Sequence, residues 1–383
     1  MAVEGSKRTS LGGIPLSYLS LATLAVQNAA LILVMHYSRI MPLVNGQRYY
    51  TSTAVFLNEV LKLAIALVVA LYDTAGSMGP NITSTELVST LYTQVFSSDS
   101  WKLAIPAALY TFQNSLQYIA VSNLDAATFQ VTYQLKILTT AIFSVTMLKR
   151  SLTVKKWISL VLLMAGVAIV QIPVGTSSTD SKDKAARDVK HPEMNKSIGM
   201  IAVIIACAIS GLAGVYFEKV LKDSTQVTLW VRNVQLSFYS LFPALFIGVI
   251  FKDGANISRD GFFVGYNWVV WTAITFQACG GLLVALVVNY ADNIAKNFAT
   301  SISIIISFFA SVWLFDFAIT PNFLAGMAVV LYATYLYSAP DRRPSSLPVA
   351  PEQEYQEPNV EDDEESTIYD SERTPALAEK ASR

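Results

Sequence analysis

The chain has 383 residues, of which 53% are hydrophobic and only 14% are charged, whereas about a quarter of the residues in a soluble domain are charged. Its apolar residues gather in stretches of about 20, the length that a helix needs to cross a hydrocarbon core roughly 30 Å thick. The formal net charge of −1 gives no basic excess of the kind that nucleic-acid binding requires. The composition excludes an ordinary soluble protein and predicts an all-α integral membrane protein.

The apolar stretches predict ten transmembrane helices. In chain order they cover about 16–35, 51–72, 103–122, 125–148, 153–172, 197–217, 229–251, 265–289, 292–316 and 321–339. The first stretch is long enough to be a membrane span rather than a cleaved signal peptide.

Polar segments divide the chain into two halves with five spans each. The predicted parts are a cytosolic N-terminal tail, a first repeat, a polar connecting loop, a second repeat and an acidic, disordered cytosolic tail, at 1–15, 16–172, 173–196, 197–339 and 340–383. An even number of spans places both termini on one side of the membrane, and a mild bias of Lys and Arg favours the cytosol.

A weak internal repeat supports this division. A shift of 167 positions superposes Ile137 on Ile304 and Ser144 on Ser311. Because each repeat has an odd number of spans, the second must enter the membrane upside down relative to the first. Inverted five-helix repeats are typical of alternating-access carriers, and chance overlap of apolar segments is the alternative interpretation.

Four ionisable residues stand out within the predicted spans, where a charge costs roughly 2.5–3.5 kcal/mol at the bilayer centre. Glu59 and Lys62 are three positions apart on one helix face and can neutralise each other, as a structural ion pair or as part of a gate. Apart from Asp292 at the very start of the ninth span, neither Lys136 nor Lys296 has an acidic residue three or four positions away. An anionic ligand would balance these lysines, although Lys296 is close enough to a helix end to snorkel to the headgroups.

Polar residues also follow helical spacing on three spans. The third span carries Tyr110, Gln113, Asn114 and Gln117 on one face. The fourth carries Phe129, Tyr133, Lys136, Thr140 and Ser144, and the ninth carries Lys296, Thr300, Ser303, Ser307 and Ser311 at the same five positions after the shift of 167. Such stripes can be packing contacts between helices. Together with the two lysines and the aromatic faces of Phe129 and Tyr133, the stripes predict a cavity for a ligand that bears phosphates and a base.

The spans offer little for catalysis. They contain no paired acidic motif, no glycine-rich phosphate loop and no Ser/His/Asp set. Two cysteines and two histidines without ligand spacing indicate neither a metal site nor a bound cofactor. We therefore expect a transport protein rather than an enzyme.

Several long motifs make the chain recognisable. In order they are Tyr110-Thr-Phe-Gln-Asn114, Ser122-Asn-Leu-Asp-Ala-Ala127, Gln130-Val-Thr-Tyr-Gln-Leu-Lys-Ile137, Gly214-Val-Tyr-Phe-Glu-Lys219, Leu229-Trp-Val-Arg-Asn233 and Tyr290-Ala-Asp-Asn-Ile294. From about Leu16 to Ser338 the chain resembles the nucleotide-sugar transporters of the drug/metabolite transporter superfamily. It looks most similar to the branch of UDP-galactose, UDP-N-acetylglucosamine and CMP-sialic acid transporters.

The resemblance implies a ten-helix antiporter of the Golgi membrane. Such a protein imports a nucleotide sugar, here with a preference for UDP-galactose, in exchange for the nucleoside monophosphate left by lumenal glycosyltransferases. The family's phosphate-side lysines correspond to Lys136 and Lys296, and its second-helix pair corresponds to Glu59 and Lys62. Its nucleotide-contacting positions correspond to Tyr110, Gln113, Asn114, Phe129 and Asn233. Besides the bilayer, a second copy of the chain and Golgi glycosyltransferases are the partners that this interpretation admits.

Three alternatives stay open at this point. The substrate of the antiporter can be UDP-N-acetylglucosamine or another nucleotide sugar. A small-molecule exporter with the superfamily fold would have an apolar cavity without paired lysines. A membrane-embedded transferase acting on a nucleotide sugar would need an acid or a metal site.

Overall fold

The structure is a computed structural model that describes residues 10–11, 14–79, 82–172, 194–223, 227–290 and 293–339. Within these ranges, the structure describes the backbone but not the side chains of 10–11, 14–17, 222–223, 282, 284–290 and 293–298. The acidic tail 340–383 and most of the connecting loop lie outside the described residues, so the predictions made for them stay predictions.

The described chain is almost entirely helical. Its helices are α1 (Leu16–Ile40), α2 (Thr51–Met78), α3 (Ser84–Val95), α4 (Ala104–Asn123), α5 (Ala126–Leu148), α6 (Val154–Gln171), α7 (Lys196–Asp223), α8 (Leu229–Lys252), α9 (Gly254–Asp260), α10 (Trp268–Tyr290), α11 (Asn293–Phe315) and α12 (Pro321–Ser338). Two short strands, β1 (Ser10–Leu11) and β2 (Ile14–Pro15), pair antiparallel before α1.

Each predicted span coincides with one of the long helices. Within the described residues, six segments are long and apolar enough to cross a membrane by length and composition: Tyr18–Ile40, Thr51–Met78, Ala126–Leu148, Val154–Gln171, Lys196–Leu221 and Leu229–Lys252. The protein is therefore a multi-pass membrane protein whose described part is almost entirely helical. The total of ten spans stays a prediction.

The sequence did not predict α3 or α9, because both are short and neither is continuously apolar. Helix α3 is amphipathic: Leu91 and Val95 are buried, while Val88 and Tyr92 are exposed. Its first turn has a capping box, in which Thr83 and Glu86 satisfy each other's backbone N–H groups. A polar, amphipathic helix of three turns does not produce the hydropathy signal of a span.

Two of the long helices are irregular along part of their length. Helix α5 tightens into a 3₁₀ turn at Tyr133–Leu135. Helix α8 widens into a π-helix at Ala244–Lys252, directly after Pro243. Proline has no N–H to donate to the preceding turn, so it commonly precedes such a change in helical register.

The helices pack in a definite set of neighbours. The most extensive contacts join α6 with α12, α4 with α7, α1 with α10, α5 with α7, α1 with α11, and α2 with α8. Smaller contacts join α2 with α10, α4 with α8, and α5 with α11. Helix α5 contributes to two apolar clusters, with Phe129 in one and Val131 in the other. The helix that carries Lys136 is thus held from several sides.

Glycines allow α6 and α12 to approach at backbone distance. A Cβ atom on Gly326 would lie 2.6 Å from the carbonyl oxygen of Gly166 and 2.5 Å from a methyl carbon of Val170. A Cβ atom on Gly166 would in turn lie 3.0 Å from the carbonyl oxygen of Gly326. Small residues at such contacts let membrane helices associate through close packing.

We expect Gly326→Ala to lower the free energy of unfolding by about 1–3 kcal/mol, because the added methyl group must push the two backbones apart. Thermal unfolding of the purified protein in detergent measures the change. The matched control is Gly76→Ala in α2, where a Cβ atom would have nothing within 4 Å. That variant should be unchanged or slightly stabilised, because alanine favours a helix over glycine. Equal shifts in the two variants would contradict the proposed contact.

One end of the bundle is closed where the α1–α2 connection and the first turn of α2 contact the last residue of α9 and the α9–α10 connection. The Tyr50 hydroxyl donates to Asp260 Oδ2 at 2.6 Å, and the hydroxyls of Thr53 and Tyr266 lie 2.8 Å apart. Hydrogen bonds from Arg259 and Tyr50 lower the pKa of Asp260 to about 2. Because this carboxylate loses its charge only as the pH falls through about 2, the Tyr50 contact is expected to persist across the physiological pH range.

Candidate substrate-binding site

The hydroxyl of Tyr133 joins α5 to the polar face of α4. Gln113 Nε2 donates to this oxygen at 2.7 Å, and Gln117 Nε2 donates to it at 2.6 Å. The two glutamines are four positions apart, so their side chains lie one above the other on the same helix face. The polar stripe predicted on the third span is therefore real at these positions, and it faces α5.

The ring of Tyr133 lies between Phe129 and Lys136. The Phe129 and Tyr133 rings stack with centroids 5.3 Å apart and planes 16° apart, and Lys136 Nζ lies 4.6 Å from the centroid of the Tyr133 ring. In an α-helix, residues three apart are turned away from each other by about 60°, whereas in a 3₁₀ helix they eclipse. The tight turn at Tyr133–Leu135 thus aligns Lys136 with the tyrosine, which the sequence could not show.

If the ligand is the nucleoside monophosphate that the resemblance implies, we expect Tyr133→Phe to weaken binding of uridine monophosphate (UMP) by about 1–2 kcal/mol, or roughly 5- to 30-fold, because the amides of Gln113 and Gln117 lose the oxygen that orients them. Equilibrium binding to the purified variant measures the effect. The control is Tyr92→Phe on the exposed face of α3, which should bind as the wild type does. Unchanged affinity in Tyr133→Phe would show that the hydroxyl does not organise the site.

Glu59 connects the α2 ion pair to the same face of α4. Its side chain is fully buried, and Oε2 lies 2.5 Å from Lys62 Nζ. Its Oε1 accepts hydrogen bonds from Asn58 Nδ2 at 3.1 Å and from Asn114 Nδ2 at 3.2 Å. The bond to Asn114 was not foreseen, because sequence spacing relates residues of one helix only. A carboxylate thus fixes the position of a predicted nucleotide-contacting amide.

Two predicted site residues keep their polar atoms available. Tyr110 lies beside Gly214 of α7, where a Cβ atom would be 3.8 Å from the tyrosine oxygen. Asn233 in α8 is partly exposed, although every other residue of 231–237 is buried. Among the described residues, neither Tyr110 nor Asn233 has a hydrogen bond from its side chain. Both can therefore bind a ligand without first giving up an internal bond.

Helix α7 closes the site from the side of α5. A Cβ atom on Gly211 would lie 2.7 Å from the backbone carbon of Thr139, so the two helices touch there. Thr139 Oγ1 donates to the carbonyl oxygen of Cys207 at 2.6 Å, and Cys207 Sγ donates to that of Tyr133 at 3.5 Å. These bonds hold the segment from Tyr133 to Thr139, which includes Lys136, against α7.

Lys296 lies near the beginning of α11, but its side chain is outside the described part of the structure. Two turns further along, Ser303 Oγ accepts a hydrogen bond from Gln130 Nε2 of α5 at 3.0 Å. Ser307 and Ser311 are buried, so these two members of the predicted stripe do not line an open cavity. Helix α11 therefore packs against the helix of Lys136, and the contribution of Lys296 stays a prediction.

The structure brings most of the predicted site together. Direct contacts form two groups: the first joins Glu59, Lys62 and Asn114, and the second joins Gln113, Phe129, Tyr133 and Lys136. The two groups are linked through the consecutive residues Gln113 and Asn114 of α4. A cation, side-chain amides and stacked rings can together bind an anion and an aromatic ring system. The fold defines a multi-pass membrane protein, and this cluster is its candidate site for a charged, ring-containing solute.

The chain belongs to the nucleotide-sugar transporter family, whose family model matches residues 13–338. It is 54% identical to a UDP-galactose transporter of Schizosaccharomyces pombe over 345 residues, which cover 90% of this chain and 94% of that protein. It is 46% identical to a UDP-N-acetylglucosamine transporter of Homo sapiens over 336 residues, or 87% and 98% of the two chains. A UDP-galactose translocator of Bos taurus is 47% identical over 327 residues, which cover 85% of this chain and 78% of that protein. The family predicted from the motifs is confirmed, and these relatives are named as transporters.

Proposed function

We propose that this protein exchanges a cytosolic UDP-sugar, most favourably UDP-galactose, for lumenal UMP across a Golgi membrane. The geometry that carries the proposal is the Lys136 ammonium group beside the stacked rings of Tyr133 and Phe129. This arrangement places a phosphate-binding charge next to aromatic and amide groups that suit a nucleoside. The preference for galactose rests on the similarity to UDP-galactose transporters.

In this proposal, Lys136 and Lys296 bind the diphosphate, because each ammonium group is a compact charge with three donors. Tyr110, Gln113, Asn114, Phe129 and Asn233 contact the nucleoside. Tyr133 orients the two glutamine amides and supports Lys136. Glu59 and Lys62 form an ion pair that fixes Asn114 and contributes to gating.

The architecture proposed for this activity is ten spans in two inverted repeats. Counterparts would be α1 and α7, α2 and α8, α4 and α10, α5 and α11, and α6 and α12. The packing supports this assignment, because exchanging the counterparts converts each major contact into another that is present: α4–α7 becomes α10–α1, and α5–α7 becomes α11–α1. The pairs α6–α12, α2–α8 and α5–α11 are converted into themselves. Such exchange symmetry is expected of a carrier that alternates between two equivalent openings.

With both termini in the cytosol, the closed end at Tyr50 and Asp260 is the lumenal end. The site would then open toward the cytosol in this conformation, and the Tyr50–Asp260 hydrogen bond would break when the carrier turns toward the lumen. Antibody access to the acidic tail in sealed vesicles tests the orientation, since protection of the tail would contradict it. Self-association and contact with lumenal glycosyltransferases stay predictions.

The substrate is tested with purified protein in liposomes loaded with UMP and offered labelled UDP-, CMP- and GDP-sugars. We expect UDP-galactose to enter fastest and the CMP- and GDP-sugars to enter at the rate of protein-free liposomes. Faster uptake of UDP-N-acetylglucosamine would support the second candidate, which the similarity to UDP-N-acetylglucosamine transporters favours. Uptake of no nucleotide sugar would contradict the proposed function.

A further inference from the structure

Helix α8 carries two fully buried polar residues, Arg232 and Gln235, whose side chains are turned away from that of Asn233. Arg232 and Gln235 are each 0% exposed. Burying a guanidinium group costs several kcal/mol unless its charge and its donors are matched. Such a residue therefore indicates a specific contact that the fold maintains.

The contact is made with the segment between α3 and α4. Arg232 Nη2 donates to Asp99 Oδ2 at 2.9 Å, and Arg232 Nη1 donates to Gln235 Oε1 at 2.9 Å. The other oxygen of Asp99 accepts a hydrogen bond from Ser97 Oγ at 2.8 Å. Charge-assisted bonds of this kind are about twice as strong as neutral ones and restrict geometry more closely. We call Asp99, Arg232 and Gln235 the α3 latch.

Gln235 also caps the C-terminal end of α3. Its Nε2 lies 3.0 Å from the carbonyl oxygen of Gln94, 2.9 Å from that of Val95 and 3.2 Å from Ser97 Oγ, so its two hydrogens are shared among three acceptors. The last four carbonyl groups of an α-helix have no i+4 partner within the helix, and a side chain from elsewhere is one of the groups that can satisfy them. Here the partner is α8, which ties the rotation of α8 about its own axis to the position of α3.

Asn233 points in another direction. At 3.6 residues per turn it is turned by about 100° from Arg232 and about 160° from Gln235. Ser240, seven residues further along the same face, has its backbone carbonyl oxygen 3.4 Å from Thr111 Oγ1 of α4. The Asn233 face of α8 is therefore directed toward the helix that bears Tyr110, Gln113 and Asn114.

We infer that the α3 latch is a positioning device for substrate recognition: it fixes the rotation of α8 so that Asn233 faces the nucleotide. The inference rests on the proposed function, because it assigns Asn233 to the nucleotide site. Arg232, Gln235 and Asp99 touch no substrate themselves and act through Asn233. A purely structural role would lower stability without changing what Asn233 contributes to binding.

A double-mutant cycle separates these roles. UMP affinity is measured for the wild type, Asp99→Asn, Asn233→Ala and the double variant, using the full chain purified in detergent and only its folded fraction. We expect each single change to weaken binding by about tenfold and the double variant to be weaker than either single variant by less than about twofold. Once the latch is broken, Asn233 no longer faces the ligand and its removal changes little.

The control is Glu218→Gln, which breaks the ion pair with Arg150 and does not involve α8. Combined with Asn233→Ala, it should give the simple product of the two effects. If the losses of UMP affinity caused by Asp99→Asn and Asn233→Ala also multiply in their double variant, the inference is wrong. If Asp99→Asn fails to fold, Gln235→Met replaces it in the cycle, because this change removes only the amide and retains the ion pair. A multiplicative result would again overturn the inference, and a double variant close to the single variants would support it.

Failure of the inference and failure of the proposed function give different results. If wild-type protein neither binds UMP nor exchanges it for a UDP-sugar, the proposed function is wrong. If the wild type does both and the Asp99→Asn cycle is multiplicative, only the role of the latch is wrong.

Discussion

Lys136→Ala should weaken the binding of UMP and UDP-galactose by about 2–5 kcal/mol, or roughly 30- to 4,000-fold. The phosphate groups lose a charged partner in a poorly solvated site, and no other group replaces it. Lys296→Ala should have an effect in the same range. Equilibrium binding to correctly folded variants measures both, and exchange in liposomes should fall in parallel.

Arginine at position 136 should restore only part of this affinity. It keeps the charge, but its planar guanidinium group does not match the place of an ammonium group beside the Tyr133 ring. The control is Lys102→Ala, since Lys102 is exposed and lies outside the site. If the lysines only pack against neighbouring helices or extend to the headgroups, their replacement by alanine should leave ligand affinity normal and alter stability. Wild-type affinity in both alanine variants would therefore refute the proposed site.

Glu59→Gln should lower the free energy of unfolding by about 3 kcal/mol, because it leaves the Lys62 ammonium group without its carboxylate in a site that is mostly buried. Thermal unfolding in detergent measures the loss. The double variant Glu59→Gln, Lys62→Met should recover much of it, since the second change removes the uncompensated charge.

The control for Glu59 is Glu218→Gln, whose ion pair with Arg150 is largely exposed. Exposed pairs contribute at most about 1 kcal/mol, so its loss should be small. If Glu59→Gln is as stable as Glu218→Gln, the buried pair does not support the fold. A wild-type unfolding temperature combined with slower exchange would instead assign Glu59 to gating alone.

The sequence predicted what depends on hydropathy and helical spacing. Stretches of about 20 apolar residues predicted the positions of the long helices. The four-residue spacing of Gln113 and Gln117 placed them on one face, and both amides do reach a single oxygen. The three-residue spacing of Glu59 and Lys62 predicted their pairing. Each of these features is decided within one helix.

Features that depend on two helices were not predictable. The bond from Asn114 to Glu59 joins residues 55 positions apart, and the bond from Gln130 to Ser303 joins residues 173 positions apart. The tight turn that aligns Tyr133 with Lys136 contains no proline or glycine from which it could have been predicted. The contact of Arg232 was not predicted, although Arg232 is a charged residue within the seventh predicted span, because its partner Asp99 lies in a segment that the hydropathy pattern left unassigned.

The central claim is that UDP-sugar and UMP exchange at one site, because a bound anion offsets the positive charge that Lys136 and Lys296 bring to a poorly solvated cavity when the carrier turns. The direct test is the initial rate of labelled UDP-galactose uptake by wild-type protein in liposomes with and without internal UMP. We predict rapid uptake with internal UMP and uptake at the protein-free rate without it. Equal rates in the two sets of liposomes would contradict the account.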